Sequence, residues 1–140
     1  MPHSLQSLSL RGNRLAAIAP RAFHGLATLT LLDLGDNFLG QIPVRGFHFV
    51  KSLRRLYLDR NQFESIPAMA FYPLSDLVEL HLNDNPKLVE LQGFAFDGLF
   101  ALEKCILSNN PRLTRVDRRA FPPKGQFSFL NSAALIFFCK

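Results

Sequence analysis

Two cysteines in 140 residues, Cys105 and Cys139, are too few for the disulfide framework that staples small secreted domains. Tryptophan is absent and tyrosine occurs only twice, against 14 phenylalanines, so the aromatic content is apolar and suited to packing. Long hydrophobic runs are missing too. The apolar stretch from Phe127 to Cys139 is 13 residues, short of the roughly 17 to 25 that a membrane-spanning helix needs, and no membrane span is expected. Met1 leads into polar residues with neither a basic nor an apolar leader region, so no signal peptide is expected, and no N-x-S/T acceptor occurs. The chain also lacks G-x-S-x-G, a Walker loop, G-x-G-x-x-G, H-E-x-x-H and C-x-x-C, the spacings that carry nucleophile, phosphate, zinc and redox chemistry. We read it as no enzyme, with no cofactor and no metal site. Glu79, Asp59, Asn83 and Asp84 are the one group suited to a weak calcium contact, without a dedicated loop to hold the ion.

What the chain does contain is a period. Asn13, Asn37, Asn61, Asn85 and Asn110 recur at 24, 24, 24 and 25 residues, each closing the pattern L-x-x-L-x-L-x-x-N. Fifteen leucine positions hold one substitution, Cys105. A fixed period of this length means a stack of equivalent units, and five exceed the roughly three a stable stack requires. At 140 residues and 48% hydrophobic content, the chain is of ordinary single-domain size.

The chemistry of the pattern follows from strand geometry. Successive side chains of a strand point to opposite faces, so Leu8 and Leu10, and their equivalents in each repeat, enter one core while the residues between them face out. Five parallel strands then stack into one sheet. Where the chain turns away from it, backbone N–H and C=O groups lose their ladder partners. An asparagine amide both donates and accepts, and a column of them bridges one turn to the next.

A second series lies behind the first. Phe23, Phe47, Phe71, Phe96 and Phe121 recur at 24, 24, 25 and 25 residues, each after a small residue, which predicts a stacked aromatic spine on the far side of the core. The longer intervals arise where Asn85-Pro86-Lys87-Leu88 and Asn110-Pro111-Arg112-Leu113 carry one residue more than the earlier repeats. An insertion in a loop costs little.

The repeat L-x-x-L-x-L-x-x-N-x-L-x-x-I-x-x-x-x-F-x-x-L, from residue 5 to about 121, resembles the 24-residue typical leucine-rich repeat of extracellular proteins such as Toll-type receptors, Slit, matrix proteoglycans and neuronal adhesion receptors. The resemblance implies an α/β fold: a right-handed solenoid with a parallel β-sheet on the concave face and an irregular or short-helical convex face. It implies binding of protein ligands on the concave or lateral faces, and an extracellular or cell-surface location. Ectodomains of the family are normally sealed by cysteine-rich caps, whereas this chain has only Cys105, at a core strand position, and Cys139.

Recognition must come from the outward columns of the sheet. These are Ser7, Leu31, Arg55, Glu79 and Lys104, then Ser9, Asp33, Tyr57, His81 and Ile106, then Arg11, Gly35, Asp59, Asn83 and Ser108. Gly12, Asp36, Arg60, Asp84 and Asn109 follow just beyond the strands. With neighbouring strands about 4.8 Å apart, Tyr57 and His81 are expected side by side, flanked by Asp33. Tyrosine and arginine dominate binding energy at many interfaces, so Tyr57, His81, Arg55, Arg60, Asp33 and Asp59 are the candidate ligand-binding residues.

The net charge of +5 raises the question of a polyanion. The concave positions hold four basic and five acidic residues, unlike a phosphate-tracking groove, and no nucleic acid partner is expected. Basic residues cluster instead at Arg112, Arg115, Arg118, Arg119 and Lys124, opposed by Asp117. Such a flank suits a glycosaminoglycan or an acidic partner. It is the alternative to a protein ligand on the concave face.

Past the last phenylalanine the register decays. The array is expected over residues 1–124 and an off-pattern apolar tail over 125–140, in which Phe127 to Leu130 form a degenerate sixth strand. That tail reads either as a makeshift cap or as sequence foreign to the array, such as that of a truncated product. Its uncharged, strand-prone edge predicts self-association. The main reading is a protein–protein interaction module for ligand recognition or adhesion, a fragment of a larger extracellular receptor or matrix protein; the alternatives are a glycosaminoglycan-binding matrix protein that uses the basic flank, or a truncated product with no independent function.

Overall fold

A computed structural model of the protein describes residues 4–122. It is a solenoid of five turns with two parallel sheets. The larger contains β1 (Ser7–Ser9), β2 (Leu31–Asp33), β3 (Arg55–Tyr57), β5 (Glu79–His81) and β7 (Lys104–Ile106), in that order. Its register is fixed by the repeat: Leu8, Leu32, Leu56, Leu80 and Cys105 stand in one row. All but Leu8 are fully buried, because Leu8 belongs to the first turn of the stack. Cys105 replaces a leucine in this row, and burial pushes its thiol pKa up to about 12.

Each strand ends in a turn that uses the left-handed backbone region. Gly12, Asp36, Arg60, Asp84 and Asn109 have φ of 74°, 52°, 56°, 60° and 55°. Glycine, asparagine and aspartate tolerate this conformation and other side chains resist it, so four of the five positions hold a suitable residue and Arg60 does not. The next residue is the asparagine of the column. Asn61 Nδ2 donates to the carbonyls of Leu34, Leu58 and Asp59 at 3.0, 3.3 and 3.2 Å, while its Oδ1 accepts from the Leu39 N–H at 3.0 Å. Asn85 repeats the arrangement one turn on, accepting from the Asn61 N–H at 2.8 Å and donating back to the Leu58 and Leu82 carbonyls. The column thus ties each side-chain amide to the backbone of its own turn and of the preceding one.

The aromatic spine forms as expected. Phe47 and Phe71, Phe71 and Phe96, and Phe96 and Phe121 stack at centroid distances of 5.9, 5.9 and 4.7 Å, and Phe23 is buried in the same core.

Away from the larger sheet the described chain is irregular or short-helical, as expected, with a short second sheet added. It carries one 3-10 helix, Gly46–Phe49, and a second parallel sheet of β4 (Ser65–Ile66), β6 (Glu90–Leu91) and β8 (Arg115–Val116). The rungs that close it are the Gln92 N–H to the Ile66 carbonyl and the Asp117 N–H to the Leu91 carbonyl, both 3.0 Å. At the equivalent places the second and third repeats carry Pro43 and Pro67. Proline has no N–H to donate, so the ladder begins at the third repeat. The degenerate sixth strand, Lys124 and the 125–140 tail lie outside the described residues.

Candidate functional site

Tyr57 and His81 close their strands side by side, with the registers Asp33 to Tyr57, Tyr57 to His81 and His81 to Ile106. Their rings stack with centroids 4.4 Å apart and planes inclined by 29°. The residues two positions earlier in these strands point the same way, which brings Arg55, Glu79 and Lys104 into the adjoining row. Glu79 is the hub. Its Oε1 lies 2.9 Å from His81 Nε2 and 3.4 Å from Lys104 Nζ, and its Oε2 lies 3.8 Å from Arg55 Nε. The hydrogen bond from His81, followed by that from Lys104, holds the Glu79 carboxyl below its ordinary value. One carboxylate therefore orders three basic side chains from three consecutive strands, and pins the His81 ring against Tyr57.

The other charged group on this face is built around Arg11. Its Nε donates to Asp33 Oδ2 at 2.8 Å, and its two terminal nitrogens donate to Asp59 at 2.7 and 3.1 Å. The guanidinium reaches across a whole repeat and passes directly over Gly35, where a Cβ would collide with it. Both carboxylates raise the Arg11 pKa, chiefly by accepting these bonds. Asp59 is only 7% exposed. Of the six candidates, Tyr57, His81, Arg55 and Asp33 gather on the face and Arg60 stands exposed on its rim, while Asp59 lies beneath Arg11. Arg11 is the position on this face that the shortlist lacked. It shares an outward column with Asp59, but 48 residues separate them, and only a long side chain over a glycine makes them neighbours.

Charges on the three outward columns of the sheet are thus mutually satisfied, while Asp36, Arg60 and Asp84 just beyond the strands have no ion pair among the described residues. Arg11 is taken up by Asp33 and Asp59, and Glu79 by His81, Lys104 and Arg55. What remains without an ionic partner is the Tyr57 ring, with Ile106 beside His81 and Leu31 beside Arg55. One buried acceptor is also left over, Asn83 Oδ1, whose amide nitrogen donates to Asp84. Asp59 and Glu79, two of the calcium-suited carboxylates, each face cations of the chain itself.

The basic flank is differently organised. Arg112, Arg115, Arg118 and Arg119 are all exposed. Asp117 accepts from the Arg119 backbone N–H at 2.8 Å, the main cause of its lowered pKa, and its Oδ1 lies 3.5 Å from Arg119 Nε. The nearest carboxylate oxygen to Arg115 is on Glu90 at 4.0 Å. Arg112 and Arg118 have no ion pair among the described residues. Among those residues no helix is long and apolar enough to cross a membrane.

The Leucine rich repeat family matches residues 3–63 and 51–111, and the chain belongs to that family. No curated protein matches it. Among solved structures it is similar to the crystal structure of a TLR13–ssRNA13 complex, with a TM-score of 0.67 and 29% sequence identity over 74% of this chain. The match covers 14% of the TLR13 chain, so the matched part of this chain spans a small share of that Toll-like receptor's length.

Proposed function

We propose that the protein is a recognition module that binds a protein ligand on its concave face, with Tyr57 and His81 at the centre of the contact. The observation that carries this reading is the stacked ring pair, set flush in a sheet whose charges are already paired. A rigid aromatic platform loses little entropy on binding, and tyrosine is enriched among the residues that dominate interface energy. Arg55, Asp33, Arg11 and Arg60 surround it as a polar rim. Family membership and the likeness to a Toll-like receptor support an extracellular receptor or adhesion setting, of which this chain supplies one stretch of repeats, over residues 1–124.

The test is affinity for an ectodomain selected from a library of secreted and cell-surface proteins. Tyr57→Ala should weaken binding by at least about 1 kcal/mol and Arg55→Ala by a similar amount, with Arg118→Ala unchanged. The opposite order would reject the concave reading.

A second reading rests on the unpaired Arg112 and Arg118. The flank they share with Arg115 and Arg119 suits a sulfated glycosaminoglycan, with Lys124 following in the sequence, and retention on a heparin column should then fall steeply with salt. Retention that is unchanged after neutralising Arg115, Arg118 and Arg119 together would eliminate it. TLR13 was crystallised with ssRNA13. Here the paired charges of the concave face favour a protein over a nucleic acid.

A further inference from the structure

The second sheet stops at β4, and a cleft of about 690 Å³ opens beside it. Its cause is chemical. Pro67 cannot supply the rung that Gln92 supplies one repeat later, and the Ile42 carbonyl that would receive it instead accepts the Val44 N–H at 2.8 Å as the chain turns through Pro43. Among the described residues no backbone hydrogen bond joins 40–42 to β4. No ladder joins the two segments, so the backbone groups on this side of β4 have no strand partner among the described residues, beside a wall that includes Ile18, Ile42 and Pro67. An unpaired strand edge is a template for another chain.

The charges of the cleft are also unspent. Glu64, at the N-terminal end of β4, and Arg45, beyond the C-terminal end of the facing segment, both line it and are exposed. Neither has an ion pair among the described residues. The polar groups between them are Ser65, Gln41 and Gln92, and the Gln92 amide braces the edge by bonding Ser65 Oγ and the Ala68 N–H.

We propose that this cleft binds an extended peptide segment of a partner protein, which adds a strand to the second sheet at the Ser65–Ile66 edge. Backbone hydrogen bonds supply the attachment and alternate side chains enter the apolar wall, as in strand addition generally. The segment carries a basic residue at the end that meets Glu64 and an acidic residue at the end that meets Arg45. This surface is separate from the Tyr57–His81 face, and the proposal stands without that reading.

The probe is a set of fluorescently labelled octapeptides of alternating threonine and valine, acetylated and amidated, with lysine at one end and glutamate at the other in both orders. Anisotropy should show binding that favours one order. N-methylation of alternate residues in one phase should weaken it about tenfold, while methylation in the other phase should leave it within about twofold, because only one set of N–H groups faces the edge. Gly40 lines the cleft, and a Cβ there would meet nothing within 4 Å. Gly40→Trp should therefore fill the site without disturbing the fold, and should reduce binding about tenfold. Pro67→Gln, which restores the missing N–H, should also reduce it by letting the ladder close. The proposal is overturned if neither order binds at millimolar peptide, if both methylation phases have equal effect, or if both variants, folded by circular dichroism, bind as the parent does.

Discussion

Asn61 makes three donor contacts and accepts from the Leu39 N–H of the preceding turn, all in the buried interior. Removing such a side chain leaves several buried backbone groups unpaired, so Asn61→Ala should cost about 1 to 3 kcal/mol. Gln62→Ala, one residue on, should cost far less. Equal melting temperatures for the two would refute the column. Gly35→Ala makes a different point: a methyl group there displaces the Arg11 guanidinium and should loosen its grip on Asp33 and Asp59 without entering the core. Arg60, like Arg14, Met69 and Phe94, holds a left-handed backbone conformation that does not suit its type. Arg60→Asn should stabilise the fold by up to about 1 kcal/mol, and if Arg60 contributes to the rim of the contact, the same change should weaken ligand binding. Melting and affinity that both improve would remove Arg60 from the site. Cys105, buried with its pKa pushed up to about 12, should resist thiol reagents at neutral pH until the protein is unfolded.

At the scale of elements, β3, β5 and β7 are joined through the Glu79 cluster as well as by their ladder. The folded-state pKa of Glu79 lies below the ordinary 4.5. A depressed carboxyl contributes stability above its unfolded pKa and loses it as the pH falls through the folded value. The melting-temperature gap between the parent and Glu79→Gln, present at neutral pH, should therefore narrow on acidification below the ordinary value. A gap that widens in acid would contradict the arrangement. The strand and spine rows were legible in the sequence because leucine, asparagine and phenylalanine are strictly periodic, and period 2 within each strand decides which side chains are buried. The second sheet was not read, although its signal was present in Pro43 and Pro67 against Gln92 and Asp117. A two-residue strand has no hydrophobic alternation to betray it, and only the pattern of missing N–H groups marks where it starts. The Arg11 bridge was hidden for another reason, since it joins residues two repeats apart through a side chain whose path no periodicity records.

For the whole molecule, the stack places two faces in different chemical states. The concave sheet has its charges paired and an aromatic pair at its centre, while the opposite flank leaves Arg112 and Arg118 without carboxylate partners among the described residues. That division separates recognition by shape and burial from recognition by charge, and the two respond oppositely to salt: binding at the rings should vary little with ionic strength, and binding at the flank should fall sharply. The expectation of self-association rests on the 125–140 tail outside the described residues, and light scattering of the chain with and without that segment tests it. The central claim is that the Tyr57–His81 face makes the contact. Hydroxyl-radical footprinting of the protein, free and bound to an ectodomain partner selected for binding, tests this most directly. Protection should centre on Tyr57, His81 and Ile106, with Arg112 to Arg119 unaffected. Protection confined to the arginine flank, with the ring pair as reactive in the complex as in the free protein, would contradict it.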